Sequence, residues 1–151
     1  MQTLIFDLET DGLIPEMTQI WSAGICDPET GIIEVYCDKD PELPNLAIGL
    51  KKLSEADRVV AHNLIGFDFW AIEKLYPGTL KQEQLWDSIV VAALMEPEKR
   101  SHAIAAYGKE FGAPKGDFKN FKCEPEEGKT FEMILKEMND YMVRDVEINV
   151  R

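Results

Sequence analysis

Asp7 and Glu9 sit two residues apart inside an apolar, β-prone run, Thr3-Leu-Ile-Phe-Asp-Leu-Glu-Thr10. Positions i and i+2 of a strand share a face. Two carboxylates on one side of an otherwise apolar strand repel each other and lose hydration unless a cation bridges them. An acidic chain makes such pairs by accident: 11 Asp and 17 Glu in 151 residues predict about one Asp-x-Glu, and four occur. Asp27/Glu29 and Asp40/Glu42 straddle Pro28 and Pro41 between predicted elements and read as solvated turns. Asp145/Glu147 falls on a predicted helix, where residues two apart diverge. Asp7/Glu9 is the pair that asks for a metal ion.

Two more groupings carry chemistry only in company. Asn63-Leu-Ile-Gly-Phe67-Asp68 directly follows a buried-type strand, and the C-terminal ends of such strands are where α/β sheets place ligands. The bland alternative is that Asn63 ends the strand and Asp68 caps or begins a helix. Tyr141-Met-Val-Arg-Asp145 puts a phenol and a carboxylate at i and i+4 of a helix, on the same face; taken singly this is an exposed polar pair. Tyr36 and Asp40 have the same spacing but run from a strand into a proline-containing turn.

The elements that must position these groups follow from periodicity and turn chemistry. Strands are predicted over 3–10, closed by Asp11-Gly12, over 20–26, closed by Asp27-Pro28, and over 31–37, with short connections that favour an antiparallel meander. Residues 46–56 have helical spacing, 58–62 form a short buried-type strand, and 67–75 form a helix closed by Tyr76-Pro77-Gly78. Residues 85–95 are apolar and ambiguous, and their length favours helix for most of them. A helix is predicted from Ser101 as N-cap to Phe111, stopped by Gly112, with Tyr107 and Phe111 turned to the core. Residues 113–128 read as a loop. The last helix, 130–150, carries Phe131, Ile134, Leu135, Met138 and Met142 on one face. The expectation is an α/β fold: a mixed sheet of three antiparallel strands followed by parallel ones, with helices packed on it, in one domain spanning 1–151.

Composition narrows the function classes. The three cysteines are odd in number and widely spaced, and there are two histidines, so neither a disulfide scaffold nor a Cys/His zinc site is supported. No run is long and apolar enough to span a membrane and no signal pattern opens the chain, which points to a cytoplasmic protein with no membrane partner. Sixteen Lys and Arg against 28 Asp and Glu leave a net charge of −12, which argues against a general positive field for nucleic acid. The charge is uneven: Lys99 to Lys122 contains six basic and two acidic residues. An acidic body with one basic arm suits a polyanionic ligand if the acidic part holds cations.

In this order, Asp-x-Glu on the first strand, Asn-x-x-x-Phe-Asp after a later strand and Tyr-x-x-x-Asp on the last helix resemble the motifs of the DEDD exonuclease superfamily, in its tyrosine-containing (DEDDy) branch. The stretch Asp7-Leu-Glu-Thr10-Asp-Gly-Leu13 is similar to the proofreading exonuclease domain of bacteriophage-type family A DNA polymerases. So are Ser101-His-Ala-Ile-Ala-Ala-Tyr-Gly108, the following Lys115-Gly-Asp-Phe118, and Asp87-Ser88 as an Asp-Thr/Ser element. The resemblance runs from Asp7 to Val150. It implies a ribonuclease H-like fold, two divalent cations (Mg²⁺ or Mn²⁺), and 3′–5′ hydrolysis of single-stranded DNA ends to 5′-mononucleotides. It further implies Asp7, Glu9, Asp68 and Asp145 as metal ligands, with Asp7 bridging both ions, and Tyr141 as a catalytic residue that orients the attacking water. Thr10, Leu13 and Asn63 would meet the terminal nucleotides. No polymerase region follows Asp145, so a free-standing exonuclease and an excised domain partnered by a DNA polymerase domain or subunit are both expected readings; with a phage origin the compartment is the host cytoplasm.

Oxygen ligands without a soft donor set favour magnesium or manganese over zinc. A tyrosine with an ordinary pKa near 10 is a poor general base, so the metal and not Tyr141 must acidify the water. Lys115, Phe118 and Lys119 in the loop are the candidates for tracking the backbone and stacking a base. His62 beside Asn63 is expected to hold that motif, and His102 to be a helix-surface or packing residue. The alternatives are an RNase D-like 3′–5′ exoribonuclease, for which the sequence carries no marker of 2′-OH discrimination, and a catalytically silent metal- or nucleic-acid-binding module.

Overall fold

The computed structural model describes Met1–Arg151. Five strands form one sheet: β1 (Thr3–Thr10), β2 (Ile20–Asp27), β3 (Ile32–Cys37), β4 (Arg58–Ala61) and β5 (Leu85–Asp87), in the spatial order β3-β2-β1-β4-β5. The β1–β2 and β2–β3 pairs are antiparallel, and β1–β4 and β4–β5 are parallel. This is the mixed sheet the sequence predicts. Asp27 and Asp40 each accept the backbone N–H two residues on, at 2.9 and 3.0 Å, so the acidic pairs at 27/29 and 40/42 are turn-formers, as read.

Side-chain alternation along β1 divides the molecule. Leu4, Phe6 and Leu8 face one side, where α1 (Leu46–Glu55) and α2 (Asp68–Leu75) lay Leu46, Leu50, Leu53, Ala71 and Ile72 into the main core. Ile5, Asp7 and Glu9 face the other side, which α5 (Phe131–Val150) covers; Val146 packs with Ile5 and Cys26 there. The N-terminus of α5 is capped by Thr130, whose hydroxyl accepts from the Met133 amide. Ile134, Leu135, Met138 and Met142 are buried on this face as expected, whereas Phe131 is exposed and only its ring meets Trp21, centroids 6.2 Å apart.

The ambiguous run 85–95 is helical for most of its length, as expected, and two other local expectations are corrected. The apolar run 85–95 divides: Leu85–Asp87 joins the sheet because β4 has an open edge to satisfy, and α3 (Ser88–Met95) begins only after Asp87 caps it through the Ile89 amide at 3.1 Å. α4 spans Ile104–Glu110 with Ala103 at its N-cap; Ser101 bonds the Ala103 amide at 3.3 Å instead of capping three residues further in. Tyr107 and Phe111 are half-buried, not core: the Tyr107 hydroxyl donates to Glu96 at 2.7 Å, and Lys99 lies 3.6 Å over its ring. The segment 113–128 is a loop, as read.

Candidate active site

The β1 register sets the first two carboxylates. Asp7 pairs with Gly24 and Glu9 with Ser22 on β2, so opposite the acids the α5-facing side of β2 carries small residues. A Cβ on Gly24 would stand 3.2 Å from Met142 Cε and 3.3 Å from Val146 Cγ2, and the Ser22 hydroxyl donates to Met142 Sδ at 3.6 Å. α5 therefore beds directly on β2 beside the acids, which brings Asp145 within electrostatic reach of Asp7 and Glu9. The β-bulge between Glu9 and Thr10 ends the strand there.

Asp68 arrives from the other motif. β4 ends at Ala61, and the turn from His62 to Phe67 leads into α2, whose first residue is Asp68. Asn63 adopts φ 69°, a left-handed conformation that asparagine tolerates better than most residues. That turn is tied down by Asp87, which is buried and accepts from the amides of Asn63 at 3.0 Å and Ile65 at 2.9 Å, as well as capping α3. His62 Nδ1 meets the Ser88 hydroxyl at 3.0 Å. The Asp87-Ser88 resemblance alone assigns no role to either residue. The visible signal was an Asp just ahead of an apolar helix.

Glu9, Asp68 and Asp145 are 5%, 3% and 5% exposed, and Asp7 is partly buried. Burial first, and then the charge of Asp145, pushes the Asp7 carboxyl up to about 8. Burial and then Asp7 hold Glu9 and Asp68 well above the ordinary carboxylate range, with Asp145 adding to the effect at Glu9 and Asp87 at Asp68. Burial raises Asp145 too, against the pull of Lys115. Four acids this resistant to ionising form a site built for added positive charge. Asp145 Oδ1 is buried without a hydrogen-bond partner, and the donors are hard oxygens of the kind magnesium and manganese prefer. The residues fit such ions in chemistry and burial, although no three His, Cys, Asp or Glu side chains are drawn together as a closed ligand set.

One cation already stands among them. Lys115 Nζ lies 2.5 Å from Asp145 Oδ2 and 4.6 Å from the centre of the Tyr141 ring. Burial raises the Tyr141 phenol above its ordinary value, the wrong direction for a base.

The remaining sequence-predicted residues are distributed unevenly. Thr10 is buried and donates to the Gly12 carbonyl at 2.8 Å, while Leu13 is 73% exposed. The loop between them and β2 is held by Asp11, which accepts from the Thr18 and Gln19 amides at 2.8 and 3.1 Å, and by Lys74, which donates to the Met17 carbonyl at 2.7 Å. Asn63 is exposed. Phe118 is half-buried against Tyr141, centroids 6.1 Å apart, and edge-on to Phe121. Lys119 is 82% exposed and paired only with Asp117. The basic stretch is thus no continuous arm. Lys99 is engaged with Glu96 and Glu110, Lys115 turns inward, and the loop folds back so that Cys123 joins Trp21, Cys37 and Met138 in a second core.

A family model described as the RNase_H superfamily (RNase_H_2) matches residues 4–109, which include Asp7, Glu9 and Asp68 and stop short of Tyr141 and Asp145. No curated protein matches the chain. Among solved structures, Brucella melitensis NrnC bound to pGG superposes with a TM-score of 0.60 at 16% identity, over 96% of this chain and 78% of that one. Brucella melitensis NrnC with bound Mg²⁺ gives 0.58 at 16% identity, over 97% and 74%. The family B DNA polymerase from the archaeon Pyrobaculum calidifontis gives 0.61 at 16% identity, over 97% of this chain and 23% of the polymerase. Likeness at that identity is likeness of fold. It agrees with the sheet order and with a family match over more than half of the sequence: the chain belongs to the RNase_H superfamily.

Proposed function

We propose that this chain is a two-metal 3′–5′ exonuclease of the DEDDy type, a single domain over 1–151 that shortens single-stranded DNA ends to 5′-mononucleotides, in the manner of a family A proofreading domain. One observation carries the reading: β1, the start of α2 and the last helix bring Asp7 within electrostatic reach of Glu9, Asp68 and Asp145, with Tyr141 one turn from Asp145. Asp7 would hold both cations, Glu9 and Asp145 the one on the water side, and Asp68 the other. When bound, the two ions acidify the attacking water and neutralise charge on the scissile phosphate and the leaving 3′-oxygen. The chain's own residues do the rest. Tyr141 holds the water in line by a hydrogen bond from its protonated phenol. Thr10 and Leu13, at the end of β1 and in the loop after it, receive the terminal nucleotide. Phe118 offers a ring beside Tyr141 for a base, and exposed Lys119 offers charge for the backbone.

The test is a product ladder from 5′-labelled DNA and RNA single strands with Mg²⁺, Mn²⁺ or EDTA. The RNA arm is included because NrnC, which shares the fold, is seen bound to pGG. Stepwise shortening of DNA from the 3′ end, abolished by EDTA and by Asp7→Ala, is expected. Cleavage that survives EDTA, starts internally, or persists at full rate in Asp7→Ala refutes the assignment. Shortening of RNA in strong preference to DNA would move the substrate to the exoribonuclease reading.

A further inference from the structure

Lys115 makes the one ion pair that involves any of the four acids. It is brought there by a built arrangement, not by a flexible tail. α4 ends at Glu110, and the chain turns back so tightly that a Cβ on Gly108 would meet the Ala113 carbonyl oxygen at 2.7 Å and the Lys115 amide nitrogen at 3.3 Å. Ala113 is buried and its amide donates to the Gly108 carbonyl at 2.8 Å. One residue past Lys115, Gly116 rests against Tyr141, where a Cβ would stand 3.4 Å from Cδ2. The lysine stem is thereby aimed along Tyr141 at Asp145, with the side chain 23% exposed and the carboxylate 6% exposed. One oxygen of Asp145 takes the ammonium, and the other is buried with nothing to bond.

The Nζ position at Asp145 Oδ2 is where a hard cation ligated by that oxygen would also sit. An ammonium and a divalent ion on one carboxylate oxygen repel at close range in a partly dry site. We infer that Lys115 is an exchangeable resident cation: it neutralises and orients Asp145, competes with the divalent ion for that carboxylate, and leaves it when the ion loads. This rests on the proposed metal centre. It makes Lys115 a positioning residue for Asp145 and a brake on metal uptake, and it gives the side chain a task other than tracking the substrate backbone.

Two measurements test it without reference to turnover. The first is the labelling rate of individual lysines by an amine-reactive reagent, read by mass spectrometry with EDTA or saturating Mn²⁺, with solvent-exposed Lys119 as internal standard. Lys115 should react slowly in EDTA and at least about tenfold faster with Mn²⁺, while Lys119 stays unchanged. The second is Mn²⁺ affinity by electron paramagnetic resonance. Lys115→Met should bind Mn²⁺ about tenfold or more tightly than wild type, and Lys115→Arg should stay close to wild type. An Mn²⁺-independent labelling rate at Lys115, or a Lys115→Met affinity no tighter than wild type, overturns the inference. If wild type nevertheless binds Mn²⁺ and loses both binding and nuclease activity in Asp7→Ala, only this inference falls. If neither wild type nor Lys115→Met takes up Mn²⁺, the proposed metal centre falls with it.

Discussion

Asp7→Asn should make the protein more stable in EDTA, and the gain should grow with pH. Burial, and after it the Asp145 carboxylate, lifts Asp7 from an ordinary 3.8 to about 8 in the folded chain. An acid whose folded pKa lies above its unfolded value supports the fold fully below pH 3.8, and that support is lost as pH climbs toward about 8. Each pH unit in that window costs up to about 1.4 kcal/mol, which sets a ceiling of about 4 kcal/mol at pH 7. The partial exposure of Asp7 and the relaxation of a real interior bring the expected gain to about 2–3 kcal/mol. That is a large share of a typical domain's total stability. Urea unfolding in EDTA at pH 5, 7 and 9 measures it. Wild-type stability should fall between pH 5 and 9 more steeply than that of Asp7→Asn, and Mg²⁺ should restore wild type while leaving the variant unmoved. Equal stabilities at pH 9, or parallel pH profiles, would refute the claim that these carboxylates are held together against their own charge.

Tyr141→Phe should slow turnover by about one to three orders of magnitude, the usual loss for one positioned catalytic hydrogen bond, with Mn²⁺ affinity within about twofold of wild type. Weaker metal binding in single-site titrations would make the phenol a ligand and not a water-orienting group. Asp87→Ala leaves the Asn63, Ile65 and Ile89 amides without their acceptor and should cost about 3 kcal/mol or more in urea unfolding. It should also depress kcat, through the displaced turn before Asp68. Lys119→Ala, at an exposed position paired only with Asp117, should leave stability within about 0.5 kcal/mol. It should also raise KM and flatten its salt dependence by up to about one unit of slope, whereas an unchanged salt slope would remove the loop from the strand's path.

Local chemistry was legible in the sequence wherever a single element carries it. Alternation along Thr3–Thr10 put Asp7 and Glu9 on one face, and an i, i+4 step put Tyr141 above Asp145. Asp27 and Asp40 made the turns that proline and their short side chains foretold. What the tertiary structure decided concerns residues whose partners lie far along the chain. Ser22 and Gly24 read as unremarkable strand residues until the β1–β2 register sets them opposite the acids and lets α5 descend. Asp87 reads only as half of an Asp-Ser element until the turn after β4 folds onto it. Lys115 reads as part of a basic arm, because charge is counted along a chain without direction. Only the fold back from α4 turns that ammonium inward to Asp145 and leaves Lys119 in solvent. Periodicity depends on backbone geometry within one element and survives in the sequence, whereas the partner of a charge is set by packing across the sheet, which no local spacing records.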